Sequence, residues 1–355
     1  MKKVLFIVPF PKRINPSARF RVELYEDALI ANGFECKSVF FWGDKESKTL
    51  YKKGGLLTKS MGLVMGFLRR FGTIFSLNKF DYVFVLREVT PLGPPIFEWI
   101  YAKVFKKKVI YDFDDAIWVE QAQGANAWVR PLKAFWKVSS ICKWSYKISA
   151  GNQYLYNYAI QYNTNVIINP TCVDTANKHN VIRGQNSKRV VIGWTGSFSQ
   201  LVCLEEVIDV LKKLDKKYDF EFVLIANRNP ELALKNYTFL SWNEASEIED
   251  LSKIDVGIMP LPDNELNRGK CGFKLIQYMA LAIPVVASPV EVNAVIVDDG
   301  INGFLCKTEL EWYTALETLI LDVKLRREMG INGRKKIVDN YSLQSNKDNF
   351  LSLFK

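Results

Sequence analysis

Histidine is almost missing from this chain: one residue, His179, in 355. A lone histidine in a polar stretch outside any expected cleft shows no partner for acid–base chemistry and is not expected to have a chemical role. Long apolar runs are missing too. No window approaches 18 uncharged apolar residues, and no segment is expected to span a membrane. The six cysteines, at 36, 142, 172, 203, 271 and 306, include no C-x-x-C pair and read as free thiols, mostly in the core, of a cytosolic protein. No internal repeat or low-complexity stretch stands out. The start, "MKKVLFIVPFPKR", has a basic head but only seven apolar residues before Pro11-Lys12-Arg13, with no small-residue cleavage site. It is expected to be a first strand rather than an export signal.

Acidic residues are short in one half only. Residues 1–170 hold 25 Lys and Arg against 13 Asp and Glu, a surplus of twelve positive charges; residues 171–355 hold 23 against 25. A one-sided basic half points to a polyanionic partner: anionic lipid, a lipid-linked phosphate or nucleic acid. No recognised nucleic-acid module accompanies the charge, so nucleic acid ranks last.

With 355 residues, 48% of them hydrophobic, two α/β domains are the natural expectation. In the first half "KVLFIVPF", "FECKSVFFW", "FDYVFVLRE", "KKVIYDF", "YKISAGN" and "NVIINP" read as strands, separated by helical stretches such as "ARFRVELYEDALIANG" and "PPIFEWIYAKVF". That alternation predicts a doubly wound parallel sheet. Residues 175–188 are polar and aperiodic and are expected to be a linker between domains 1–174 and 189–341. The pattern restarts at "RVVIGWTGS" and continues through "FEFVLIAN", "YTFLSW", "DVGIMPL", "PVVAS" and "NGFLC". The fold class is therefore α/β, with two Rossmann-like doubly wound domains facing a central cleft at the carboxyl ends of their strands.

Two stretches of the second domain suggest an anion site. "GWTGSFSQ" (193–200) runs from strand to a small turn at Gly196 and Ser197 and on to a helix N-terminus, whose unpaired N–H groups suit a phosphate; Ser197 and Ser199 could equally be plain N-caps. "GKCGFKLIQYMALAIPVVAS" (269–288) places Lys270 and Lys274 at the start of a helix, where the macrodipole is already positive and cations are unfavourable without an anion. Gln277, one turn on, faces the same way as Lys274 and could take a hydroxyl pair.

The run Lys274-x-x-Gln277-Tyr-Met-Ala-x-x-x-Pro284-Val-Val-Ala-Ser, followed by "DDGINGFL", resembles the family 4 glycosyltransferases of the GT-B fold. "ISAGNQYLYNYA" and "VIINPTCVDT" look like that family's elements ahead of the linker. The resemblance covers most of the chain and is strongest from Arg189 to Leu305. It implies a retaining hexosyltransferase using a nucleotide-diphosphate sugar, with Gly196, Ser197, Lys270 and Lys274 around the diphosphate and Gln277 on the ribose. Asn227, closing "FEFVLIAN", joins these donor-binding residues. It also implies that a last helix, 342–355, crosses back to the first domain. Two departures stand out. The family's Glu-x7-Glu pair is replaced by Gly269 and Gln277, and its first-domain histidine is absent.

"VIYDFDDAIW" stands in that histidine's place, with Asp112, Asp114 and Asp115 after a strand. Three such carboxylates repel one another unless a cation or donor is present. They read as catalytic groups that orient or deprotonate an acceptor hydroxyl. Alternatively, Asp112-Phe-Asp114 is the metal-binding D-x-D of a GT-A transferase. Arg19 and Arg21, in "INPSARFRVELY", are expected in the first turn of a helix as acceptor- or donor-phosphate ligands. Between Lys45 and Lys79, apolar residues alternate with Lys52, Lys53, Lys59, Arg69 and Arg70, and "KVFKKK" adds charge. That suggests an interfacial segment on an anionic leaflet; a core helix with solvated lysines fits the pattern as well.

The combined expectation is a cytoplasmic transferase, peripheral on the inner face of the cell membrane. It would move a sugar to a lipid-linked saccharide acceptor in bacterial surface polysaccharide synthesis. No metal or other cofactor is expected, and the oligomeric state is not set. A metal-dependent D-x-D enzyme and a non-catalytic sugar-nucleotide or membrane-binding protein remain alternatives.

Overall fold

The computed structural model describes residues 1–50, 55–120 and 132–355. Lys52 and Lys53 of the expected interfacial segment lie outside the described residues. The chain forms two compact units, Met1–Thr171 with Asn346–Lys355, and Cys172–Ser345.

The first unit is built on β1 (Lys2–Val8), β2 (Phe34–Phe40), β3 (Tyr82–Leu86), β4 (Lys108–Phe113), β5 (Lys147–Ala150) and β6 (Val166–Ile168), in the order β2-β1-β3-β4-β5-β6. Every pairing is parallel. The central strands are runs of Val, Ile, Leu, Phe and Tyr buried on both faces, as a parallel sheet covered by crossover helices requires. The last ten residues complete this unit. Phe350 stacks on Tyr25 at 4.0 Å and Phe354 meets Tyr82 edge-on, while Tyr82 Oη donates to the Phe354 carbonyl at 2.6 Å.

The second unit holds β7 (Val190–Gly196), β8 (Phe220–Ala226), β9 (Tyr237–Ser241), β10 (Val256–Met259), β11 (Val285–Ala287) and β12 (Gly303–Leu305). Their order is β12-β11-β10-β7-β8-β9, again all parallel. This is the doubly wound nucleotide-binding order, and its direction reverses between β7 and β10. Ligands in such sheets bind outside the carboxyl ends of those two strands. All twelve segments predicted as strands are strands.

Residues 172–188 lie along the second unit. Arg183 donates its backbone N–H to the Leu281 carbonyl at 2.8 Å and its Nε to Asp255 Oδ1 at 3.0 Å, and Gln185 Nε2 donates to the Asp255 carbonyl at 2.9 Å. His179 is fully buried there.

Phe350 is fully buried against the first sheet. Phe350→Ala should destabilise the protein by about 3–5 kcal/mol, read as a lower urea midpoint at unchanged slope.

Candidate functional site

At the carboxyl end of β7 the turn is held from within. Ser197 and Gln200 form a capping box: the serine side chain accepts the Gln200 N–H, and Gln200 Oε1 accepts the Ser197 N–H. Asn227, just after β8, accepts the Phe198 N–H at 2.7 Å. The segment that follows, Phe198–Glu206, is a 3-10 helix, not the opening of an α-helix. The first N–H groups, expected to be open for a phosphate, are thus engaged by side chains, and Ser197 acts as a cap. Gly196 is required here, because a Cβ would lie 2.5 Å from the Trp194 indole.

The helix Phe273–Ala280 follows β10. Tyr278, fully buried, fixes its register: its hydroxyl accepts the Thr195 N–H at 2.8 Å, and its ring lies against Gly257, where a Cβ would come within 2.4 Å. Gly272 caps the helix at φ +65°, with Ile296 filling the space a side chain would need. This anchoring brings Lys274 across the switch point. Its Nζ donates to Gln200 Oε1 at 3.2 Å and lies 5.3 Å from the centre of the Trp194 ring. Lys274 forms no ion pair among the described residues. Burial, and then the charge of Lys270, lower its pKa to about 8. One turn on, Gln277 is buried, and its Nε2 has no hydrogen-bond partner among the described residues. The structure therefore groups Gly196, Ser197, Asn227, Lys270, Lys274 and Gln277 around the ends of β7, β8 and β10.

The first unit corrects several expectations. The helix after β1 is short, Pro16–Arg21, and starts at its cap Asn15. Arg19 and Arg21 fall in its last turn, where the dipole favours cations, so their placement needs no external anion. Arg21 is fully buried. Its Nε donates to Asp112 Oδ1 at 2.8 Å, its Nη2 pairs with Oδ2, and its Nη1 reaches the Asn169 carbonyl at 2.6 Å. Ser149 Oγ also donates to Asp112. Neither Arg21 as an acceptor ligand nor Asp112 as a catalytic group stands: each is enclosed and occupied by the other. A D-x-D metal site does not fit for the same reason, since a cation would have to displace a buried guanidinium from Asp112. Arg19 is also buried, its guanidinium 4.8 Å from the Phe20 ring.

Asp114 and Asp115 remain at the carboxyl edge of this sheet. Arg87, directly after β3, donates from Nε to Asp114 Oδ1 at 2.7 Å and lies 3.7 Å from Asp115. Burial alone would raise the Asp114 pKa. Arg87, with Arg21 and Ser17, outweighs it and holds the carboxyl at about 2. The sequence reading missed Arg87 and Gln200. Signals existed for both: a basic residue at a strand's carboxyl end, and the Ser-x-x-Gln spacing of a capping box.

Residues 189–322 match the family model described as Glycosyl transferases group 1. The second unit carries a glycosyltransferase domain. Among solved structures, sucrose-phosphate synthase from Thermosynechococcus elongatus superposes on the chain with a TM-score of 0.72 at 13% identity, covering 100% of this chain and 98% of that one. A glycosyltransferase from Rickettsia africae gives 0.70 at 13%, over 100% and 98%. Anabaena HepE, in complex with UDP and glucose, gives 0.69 at 13%, over 100% and 99%. At this identity the likeness carries the fold, which is the GT-B fold of glycosyltransferases. Comparison with curated protein sequences gives no match.

Two outcomes test the first-unit assignments. Asp112→Asn leaves a buried guanidinium without its counter-charge and should destabilise the protein by about 3–5 kcal/mol, measured by urea unfolding. Asp114 has a folded pKa below its ordinary 3.8, so it adds stability above that value, lost as pH falls toward 2. In Arg87→Met the drop in urea midpoint between pH 4 and pH 2 should shrink relative to the parent protein.

Proposed function

We propose that the chain is a retaining glycosyltransferase of the family 4 type. It moves a sugar from a nucleotide-diphosphate donor in the second unit to a lipid-linked saccharide acceptor at the first. The setting is the synthesis of a bacterial surface polysaccharide on the inner face of the cell membrane. The observation that carries the donor half is Lys274. It is half-buried, held by an amide and an aromatic ring, crowded by Lys270, and without a carboxylate partner among the described residues. An ammonium so placed is stabilised when an anion arrives. A diphosphate leaving group gathers negative charge as the glycosidic bond breaks, and two preorganised ammonium groups stabilise that charge in the transition state. On binding, phosphate oxygens would take the place of Gln200 beside Lys274. Gln277, with an unsatisfied amide, supports a contact to ribose hydroxyls. HepE of Anabaena has been captured with UDP-glucose, so UDP-sugars are the first donors to try.

At the first unit, Asp114 and Asp115 are the carboxylates left to meet an acceptor hydroxyl. A group held near pKa 2 is a weak base, so Asp114 orients the hydroxyl and offsets developing charge rather than removing its proton. The surplus of basic residues in 1–170 supports an acceptor carried on an anionic membrane. No helix among the described residues is long and apolar enough to cross a membrane.

Calorimetric titration with UDP tests the donor site. Lys274→Ala should weaken binding by about 1.5–3 kcal/mol, roughly 10- to 150-fold in Kd, while uridine binding is unchanged; equal losses for both would remove the phosphate role. Because pairing with a diphosphate raises the Lys274 pKa from about 8, affinity should be full below pH 8 and fall as pH rises through it. Sugar transfer should persist in excess EDTA and drop strongly in Asp114→Asn. Binding without turnover, in the presence of membrane extract, would favour a non-catalytic binder.

A further inference from the structure

The helix Leu56–Ile74 is apolar on two opposite faces. On the inner face Leu63 and Phe67 pack on Phe10, Phe41 and Trp42. The two arginines expected to face a membrane also turn inward: Arg70, fully buried, donates to the carbonyls of Val8, Val39 and Val89, and Arg69 donates to that of Phe41. The outer face is the unexpected one. Leu57, Met61, Val64, Leu68 and Phe71 recur every three or four residues and stand in solvent, Leu57 at 88% exposure. Phe75, 77% exposed, extends the stripe, its ring 5.5 Å from that of Phe71. The helix contains no acidic residue. A helix serving only the core has no use for such a face, and an exposed apolar patch of this kind marks an interaction surface.

A second helical segment lies alongside, joined to the first through Phe67 and Phe97, 6.3 Å apart. It runs through Ile96–Trp99 and Ile100–Val104, and its Trp99 and Val104 are also exposed. Both segments run out at one cavity of about 360 Å³ at the amino ends of β1, β3 and β4. Asn78 and Phe80, after the first helix, line it, as do Lys106 and Lys107, after the second, and Lys2 and Lys108 from the strand ends. Asp81 is on its rim, with Oδ2 accepting the Lys3 N–H at 2.7 Å. None of the four ammonium groups is ion-paired with a carboxylate among the described residues. Lys107 donates to the Phe80 carbonyl, and Lys2 and Lys108 sit over the Tyr82 ring at 5.7 and 5.4 Å.

We propose that this face of the first unit seats on an anionic phospholipid surface, with the stripe in the acyl boundary and the lysine-lined cavity holding a lipid phosphate. The inference rests on the reading of a membrane-borne acceptor and names the surface that reaches it. An apolar helix face flanked by lysines is the form that lies in the plane of a bilayer interface. Charge argues against a second copy of the chain as the occupant. Self-pairing would bring two unpaired lysine clusters together on the half of the chain that already carries twelve surplus positive charges.

The test is sedimentation of the full chain with vesicles of phosphatidylcholine alone or mixed with phosphatidylglycerol. Binding is expected to the mixed vesicles and to fall with salt. Leu68→Glu with Phe71→Glu should abolish it. Lys106→Glu with Lys107→Glu should weaken it at least about tenfold. UDP binding should be unchanged in both. If the glutamates prevent folding, Leu68→Ser with Phe75→Ser, on the same outer face, replaces them. Vesicle binding that both variants leave intact overturns the proposal. So does a parent protein that ignores vesicles but is stabilised by inorganic phosphate in a Lys106- and Lys107-dependent way, which would make the cavity a site for soluble anions. A dimer dissolved by the stripe variants, with no vesicle binding, overturns it in favour of a second copy. Loss of sugar transfer with vesicle binding retained counts against the proposed activity and not against this surface.

Discussion

Each unit buries an all-parallel, six-stranded sheet on both faces, and the placement of every polar group follows from that constraint. Parallel neighbours need crossover connections, and the crossovers cover the sheet with helices. Water and charge are left with the strand ends. At the carboxyl edge the direction of the build reverses between β1 and β3 in one unit and between β7 and β10 in the other, so two loops diverge and a crevice opens. Close packing then selects residues one by one. Gly257 admits Tyr278, Tyr278 ties its helix to the end of β7, and that tie carries Lys274 to the crevice.

Three basic side chains withdrawn from solvent illustrate how partners decide roles. Arg21 lies against Asp112, with Ser149 and the Asn169 carbonyl completing its bonds. Arg70 fills its fork with three backbone carbonyls and so joins the ends of β1 and β2 to the loop after β3. The planar guanidinium suits both arrangements, because its five donors can be satisfied at once. Both residues are structural, since each is fully buried and directed at partners inside its own unit. Lys274 differs: it has one amide oxygen, one aromatic face and a neighbouring positive charge. Burial and a like charge beside it, with no carboxylate partner among the described residues, disfavour its ammonium form, and its lowered pKa expresses that imbalance.

Much of the fold was legible before any coordinates. Strand segments declared themselves as short runs of β-branched and aromatic residues between helical stretches, and every one became a strand. Lys274 and Gln277 were legible as a pair because they lie three residues apart on one helix, where spacing alone sets which way they face, and Lys270 because it stands just ahead of that helix's cap, Gly272. Arg19 and Arg21 were misread because the helix stops after six residues, at Arg21, which puts both in its last turn. The 3-10 turn at Phe198–Glu206 was missed for a similar reason: Asn227, 29 residues away, helps to hold it.

Local order along the chain was enough to determine the two parallel sheets, the basic first half and the lysine pair at a helix start, since propensity, periodicity and charge are properties of neighbouring residues. Which charges meet is a different matter. Asp112 and Asp114 are two residues apart on one strand end, yet one is sealed against Arg21 and the other is held at the edge by Arg87. Arg70 and Phe71 are adjacent, yet one is locked into the core and the other stands in water. Their partners come from distant parts of the chain, brought close only when the sheet and its crossovers pack. Tertiary structure alone therefore separated the carboxylate sealed against Arg21 from the one held at the sheet edge by Arg87, and the arginines of the core from the apolar stripe beside them.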